Sequence, residues 1–360
     1  MRKINKYTKN GQVLTMDIGS YNIKLVVGSY NKTSVHIDHM VCIATPLGVY
    51  EDGAIRNIEK LKSSIEEILL KGHIKTKQTI CTLESTSIIT REITLPSVKA
   101  NEMIEMLEFE IQQYLPFDLN QYMIQYKILE EYQDDEGKKN NILVAAMPKG
   151  IADGYLNLLD SLNLKPIALD IHSNTADKLF SGSCQINNDP PLENSTIALI
   201  DLGHRQSNVS ILSKGNYKFN RLVSIGGRNI DQNIANFLSL SIEDAILRKV
   251  AIKNIIEAAN DDFSSKSKII SIMKSCIDNW IEEYERVFKY YMTRTTGNQI
   301  DHIYLYGGSS NIGGIEKYFE EAFNIPTSKI EKITRVNTEA IQSDGDLASY
   351  VNAIGAIIRR

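Results

Sequence analysis

A chain of 360 residues with 42% hydrophobic and 23% charged side chains has the composition of a globular protein and is long enough for two compact domains. That excludes a fibre, a disulfide miniprotein and wholesale disorder. With 40 basic against 44 acidic residues, the net charge of −4 provides no broad basic field for gripping a phosphate backbone, so nucleic acid is not expected as a partner.

The N-terminal stretch carries Arg2, Lys3, Lys6 and Lys9, and no apolar run follows that would serve as a signal peptide. No span approaches the ~20 apolar residues of a membrane helix. A cytoplasmic protein that meets a membrane only through partners is the expectation. The first strand, Val13-Leu14-Thr15-Met16, runs into Asp17-Ile18-Gly19-Ser20 and returns through Ile23 to Gly28. A helix is predicted from Ile58 to Leu70. From about Ile88 to Asn163 the character changes: a strand through Pro96, a helix from Ala100 to Leu115 with Ile104, Leu107, Ile111 and Tyr114 on one face, then Pro116 as its stop. A strand pair around Gln125 to Leu129 and Ile142 to Met147 follows, and a helix from about Gly150 to Leu162, enough for an inserted α+β subdomain.

Ser181 to Asn194 is the most linker-like stretch. Beyond it the opening pattern repeats: Ile197 to Ile200 runs into Asp201-Leu202-Gly203-His204 and returns through Val209 to Leu212. The two aspartates stand roughly one domain length apart, which reads as an internal duplication. A mostly helical insertion is predicted over Ile230 to Thr296, its last helix placing Ile277, Trp280, Ile281, Tyr284, Val287, Phe288 and Tyr291 on a core-facing stripe. Tyr304-Leu305-Tyr306 then enters a glycine-dense turn, and a last helix from Leu347 to Ile358 is rich in small residues. The four cysteines are far apart and read as buried residues of a reduced compartment; neither they nor the histidines show metal-ligand spacing.

A hairpin of the form Asp-x-Gly-small-x-Asn can wrap a phosphate, because glycine lets the backbone approach and successive N–H groups then face the anion. Its aspartate can hold a hydrated magnesium. Gly19, Ser20, Tyr21 and Asn22, with Lys24 reaching the phosphates, would form one cradle; Gly203, His204, Arg205, Gln206 and Asn208 the other. Asp17 and Asp201 would hold magnesium through water. Arg205 reads equally as a phosphate ligand or a solvated turn residue. Gly226, Gly227 and Arg228 sit between a strand and a helix, where backbone amides meet phosphate. Gly307, Gly308, Ser309 and Asn311 would let a base and ribose lie against the backbone. No Walker lysine and no Gly-x-Ser-x-Gly elbow is present. No general base stands out, and His172 reads either as a packed hinge residue or as a catalytic one.

In this order the motifs resemble the actin, sugar kinase and Hsp70 nucleotide-binding superfamily. Within it, Met16 to Ser20 with Ile23 to Val26, the segment Ile88 to Pro96, and Phe109 to Leu119 resemble the PilM family of type IV pilus assembly proteins, relatives of FtsA. The chain stops at Arg360, without the linker and membrane-targeting helix that end FtsA-like chains, which favours PilM. The resemblance implies an α/β, duplicated, ribonuclease H-like two-lobe fold with an inserted FtsA/PilM-type subdomain. It divides the chain into a first lobe (1–87 and 164–190, with the last helix, 347–360, packing back on it), the insert (88–163), a second lobe (191–229 and 297–346) and its helical subdomain (230–296).

The resemblance further implies ATP or ADP with magnesium between the lobes, and a groove on the insert and first lobe for the N-terminal cytoplasmic peptide of a PilN-like inner-membrane protein. Tyr114, Leu115, Pro116 and Phe117 are the groove candidates, and pilus motor ATPases or a platform protein are further partners it implies. Ser241 to Lys249 resembles a stretch where a glutamate and a lysine contact ribose and base: Lys249 matches, while Ile246 stands at the glutamate's position. Two functions are carried forward. One is a nucleotide-binding scaffold with slow or no hydrolysis, the other a small-molecule phosphotransferase.

Overall fold

Strand β1 (Val13–Ile18) is buried along its whole length because it has a strand on either side. It pairs antiparallel with β2 (Asn22–Tyr30) and parallel with β6 (Gln78–Leu83). β3 (Val35–Ala44) continues the meander, and β10 (Lys165–Ile171) and β16 (Val336–Asn337) complete a six-stranded sheet in the order β10-β6-β1-β2-β3-β16. The structure, a computed structural model, describes residues 11–114, 118–135, 137–256, 264–294, 299–338 and 346–359.

The same arrangement recurs downstream. β11 (Thr196–Leu202) pairs antiparallel with β12 (Ser207–Ser213) and parallel with β14 (His302–Tyr306). β13 (Asn216–Val223) and β15 (Thr327–Lys329) complete the sheet β13-β12-β11-β14-β15. Each aspartate hairpin is thus the antiparallel corner of a sheet whose next strand is parallel, and the duplication read from the sequence is present in the topology.

Helices cover the sheets. α1 (Ile58–Lys71) starts where the Asn57 side chain accepts from Lys60 N–H, turns Leu61, Ile65 and Ile68 inward, and closes at Gly72. α3 (Lys149–Ser161) packs on the same core through Tyr155, Leu158 and Leu159. On the second sheet lie α5 (Gly227–Leu238), α6 (Ile242–Val250), the long α7 (Ser265–Arg294) and α8 (Ile315–Phe323). The predicted α7 stripe is buried, joined by Ile269, Ile270, Met273 and Cys276. Between the sheets run α4 (His172–Phe180) and α9 (Val351–Ile357), the latter buried throughout after a 3-10 turn at Leu347–Tyr350. Gly355 lets the two helices touch, since a Cβ there would overlap the Thr175 carbonyl oxygen.

The insert is a three-stranded antiparallel sheet, β7 (Ile89–Pro96), β9 (Gly137–Pro148) and β8 (Tyr122–Asp134) in the order β7-β9-β8, backed by α2 (Ala100–Gln112). Its Met103, Leu107 and Ile111 meet Ile142, Val144 and Ala146 in a separate small core. A two-stranded hairpin, β4 (Tyr50–Glu51) with β5 (Ala54–Ile55), stands beside the first sheet.

Three local expectations change. The insert helix ends at Gln112, not Leu115, because Tyr114 N–H donates to the Ile111 carbonyl (3.0 Å) and tightens the chain into a turn. β8 and β9 run well past their predicted ends, pairing from Tyr122 with Pro148 to Asp134 with Gly137. The stretch Ser181 to Asn194 is no loose linker, for Cys184, Ile186 and Leu192 are buried and Ile186 bridges to Ile333.

Candidate functional site

β1 and β11 end facing each other across a cleft of about 390 Å³. It is lined by Asp17, Gly19, Ser20, Tyr21, Asn22 and Lys24 from one hairpin, and by Asp201, Gly203, His204, Arg205, Gln206 and Asn208 from the other. Gly227, Lys249, Gly308, Ser309 and Asn311 line it as well. Gly226, Arg228 and Gly307 do not. Gly226 sits behind the second hairpin, where a Cβ would come 2.6 Å from both the Gly203 and His204 carbonyl oxygens, and Arg228 N–H donates to His204 O (2.7 Å). These residues seat the α5 N-terminus against the hairpin. Gly307, at φ +85°, removes the Cβ that would overlap Asp201 Oδ1.

Charge in the cleft is densely paired. Lys24 Nζ donates to Asp17 Oδ2 at 3.0 Å, and His172 Nε2 donates to Asp17 Oδ1 at 3.2 Å. His172 Nδ1 lies 3.6 Å from Asp201 Oδ2, which also accepts from Asn352 Nδ2 (2.7 Å). His172, first residue of α4, therefore bridges the two aspartates. Burial would raise the Asp17 carboxyl, but Lys24 and His172 outweigh it and hold the group far below the usual carboxylate range. Burial would likewise lower His172, yet Asp17, Asp201 and Glu84 raise it, so it favours the charged form. Asp201 is raised by its own burial, with His172 and Lys24 opposing.

The second hairpin reaches across to the first half of the chain. Arg205 donates to Glu51 Oε1 at 2.9 Å, an ion pair at the cleft rim. Gln206 Nε2 donates to Asp52 Oδ1 (3.1 Å), Asn208 Nδ2 to Glu84 Oε2 (2.6 Å), and Ser20 Oγ shares a 3.1 Å hydrogen bond with His204 Nδ1. Lys249 pairs with buried Asp231 at 2.6 Å, with the Tyr21 ring 6.0 Å away.

Sequence reasoning missed Glu51, Asp52, Glu84 and Asp231, and read the last helix, which carries Asn352, only as rich in small residues. Glu84 follows β6, whose Thr82 is level with Asp17 in the parallel register. That register is tertiary and leaves no local mark; only the position, an acid at the end of an apolar strand, was available.

The cleft fits a nucleotide. Space lies around Gly308, where an added Cβ would meet nothing within 4 Å, and buried Gln206 Oε1 and Asn352 Oδ1 have no hydrogen-bond partner. Asp17 and Asp201 suit a hydrated magnesium shared with phosphates. Among the described residues no group of three or more His, Cys, Asp or Glu is placed to cage a metal alone.

Of the groove candidates, Tyr114 is exposed under the Arg91 guanidinium, 5.0 Å from its ring centre. Leu115, Pro116 and Phe117 lie outside the described residues. A separate cavity of about 540 Å³ opens between the insert and α3, lined by Ser87, Asn120, Gln121, Tyr122, Pro148, Lys149 and Gly150. No helix among the described residues is long and apolar enough to cross a membrane.

A family model described as type IV pilus assembly protein PilM matches residues 15–360. Among solved structures, a PilM-PilN type IV pilus biogenesis complex aligns at TM-score 0.79 and 19% identity, covering 97% of this chain and 98% of that one. The ethanolamine utilization protein EutJ from Carboxydothermus hydrogenoformans aligns at 0.56 and 12% identity over 96% and 89%. MreB5 of Spiroplasma citri bound to AMPPNP aligns at 0.50 and 12% identity over 97% and 95%. At these identities the structural likenesses establish the actin-like fold.

Proposed function

The chain belongs to the family of type IV pilus assembly protein PilM, and on that footing we propose that it is an ATP-binding scaffold of a pilus assembly complex, with slow or no hydrolysis. The observation that carries the nucleotide is the pair of aspartate hairpins facing each other across one cleft, with Gly227 and Gly308 opening its walls. A relative by fold, MreB5, holds AMPPNP or ADP. In this reading the hairpin amides hold the phosphates, Lys24 offsets their charge, and Gly308, Ser309 and Lys249 lie along the base and ribose. Magnesium, when bound beside Asp17 and Asp201, would neutralise phosphate charge.

The partner is the N-terminal cytoplasmic peptide of a PilN-like inner-membrane protein, supported by the PilM-PilN complex among the structural neighbours. It would hold the scaffold at the inner face of the cytoplasmic membrane, with motor ATPases or a platform protein as further contacts. The groove is the face around Tyr114 and the cavity lined by Tyr122 and Lys149. The helix α4 ties the insert to the cleft: His172 at its start touches both aspartates, and Asp177 near its end is ion-paired with Lys127 of β8. Nucleotide that shifts α4 thereby biases the insert.

Two experiments test this. Asp17→Ala and Asp201→Ala should each weaken magnesium-dependent binding of a fluorescent ATP analogue at least tenfold while the chain stays folded; equal affinity in all three proteins would remove both aspartates from the site. Tyr114→Glu should lower affinity for the partner peptide severalfold and leave ATP binding alone. Unchanged peptide affinity would move the groove elsewhere.

The phosphotransferase reading has one observation in its favour, the acid Glu84 in the cleft. Release of phosphate that depends on an added hydroxyl acceptor would select it.

A further inference from the structure

Four acids line the cleft, and three are committed to partners. Asp17 is held by Lys24 and His172, and Asp201 by Asn352 with His172 nearby. Asp52 accepts from Thr86 N–H at 2.9 Å, from Thr86 Oγ1 at 2.5 Å and from Gln206. Glu84, like Asp52, is in no ion pair among the described residues and is held by neutral donors, but where Asp52 takes three hydrogen bonds of 3.1 Å or less, Glu84 takes one short bond, from Asn208 Nδ2 at 2.6 Å, and a long one from Ser85 N–H at 3.4 Å.

Two strand registers fix where that carboxyl stands. Thr82, two residues before it on β6, is level with Asp17 on β1. Asn208, its hydrogen-bond donor, is level with Asp201 in the second hairpin. Glu84 therefore lines the cleft just beyond the end of β6 and reaches the second hairpin through Asn208.

We propose that Glu84 is the proton acceptor for attack by water on the terminal phosphate of a nucleoside triphosphate held in the cleft, which makes the protein a slow nucleotide hydrolase. The proposal rests on the nucleotide reading given above. As the water oxygen bonds to the terminal phosphorus, Glu84 takes the water's proton, and the bond from that phosphorus to the bridging oxygen breaks. The products are the nucleoside diphosphate and inorganic phosphate, and Glu84 returns its proton to solvent. Asn208, donating to Oε2, positions the carboxyl so that Oε1, which takes only the long 3.4 Å bond from Ser85 N–H, can face water.

The chemistry of Glu84 suits that task. Burial pushes its carboxyl up to about 7, opposed by His172 and by the Ser85 and Asn208 hydrogen bonds. A base titrating near the working pH is both ionised often enough and basic enough to accept a proton. The charged groups facing it are His172 of α4 and Asp201 of β11. The phenols of Tyr50, Tyr217 and Tyr306, whose own ionisation its charge opposes, are the other titratable neighbours.

The test is Glu84→Gln in the full chain, which keeps an acceptor for Asn208. It should bind Mg-ATP within about threefold of wild type and release phosphate on the order of a hundredfold more slowly. Wild-type turnover should rise with pH through about 7, and that limb should vanish in the variant. Independently of turnover, carbon NMR on glutamate-labelled protein should show one carboxyl titrating near 7, absent from Glu84→Gln, whose midpoint moves when Mg-AMPPNP is added.

Equal turnover in wild type and Glu84→Gln would overturn the proposal, as would ATP binding by wild type with no phosphate release, which leaves the nucleotide reading intact. Absence of ATP binding in wild type would instead overturn both. Should Glu84→Gln fail to fold, a wild-type pH profile with no rising limb near neutrality is the overturning result.

Discussion

Asp201 keeps its place only because position 307 carries no side chain. Gly307 ends β14 at φ +85°, a backbone region costly for other residues, and a Cβ there would overlap the Asp201 carboxylate. Gly307→Ala therefore combines backbone strain with a displaced acid. Strain of this kind costs about 1–3 kcal/mol, so denaturant unfolding should show a loss of at least that size, with ATP affinity falling as well. An alanine variant with wild-type stability and affinity would show that neither effect operates. In the sequence this glycine read as a residue that lies against a ligand; the structure gives it a supporting task instead, holding the residue that faces the ligand.

At the scale of elements, α4 carries the most consequence for its nine residues. His172 begins it in the cleft, Lys178 pairs with Asp170 at 2.6 Å to fix its tilt, and Asp177 meets Lys127 of β8. Asp177 is buried while the Lys127 side chain is largely exposed, so breaking the pair removes a tie between α4 and β8 without stranding a buried charge. Asp177→Asn should loosen the insert from α4: backbone amides of β8 should exchange faster with deuterium, and the change in β8 exchange on adding Mg-ATP should shrink. Exchange in β8 identical to wild type, with and without nucleotide, would break the route from cleft to insert. Nothing local announced this helix. His172 stood in the sequence as an open choice between packing and chemistry, because its meaning comes from two aspartates far from it along the chain.

For the molecule as a whole, what was legible followed from repetition. Asp-x-Gly hairpins at domain spacing announced a duplicated fold, since glycine and aspartate mark backbone geometry directly, and the α7 stripe announced its core through periodicity. The cross-cleft contacts were not legible. Glu51, Asp52 and Glu84 reach Arg205, Gln206 and Asn208 only after two sheets have formed and turned toward each other. Likewise the two-residue strand β16 joins the first sheet beside β3 from far down the chain, too short for any pattern. These contacts hold the halves together lightly. Glu51 is half exposed, and an ion pair at the surface, screened by water, contributes little. A ligand touching both hairpins can outweigh a bias of that size, which is what a nucleotide-gated scaffold requires.

The central claim is that a nucleotide binds between the hairpins, and calorimetric titration of the intact protein with Mg-ATP and Mg-ADP tests it most directly. The account predicts saturable heat with one nucleotide per chain, weakened when magnesium is chelated. Absence of heat at millimolar nucleotide, together with an unmoved melting temperature, would contradict it and leave an actin-like fold without the ligand its cleft is built to hold.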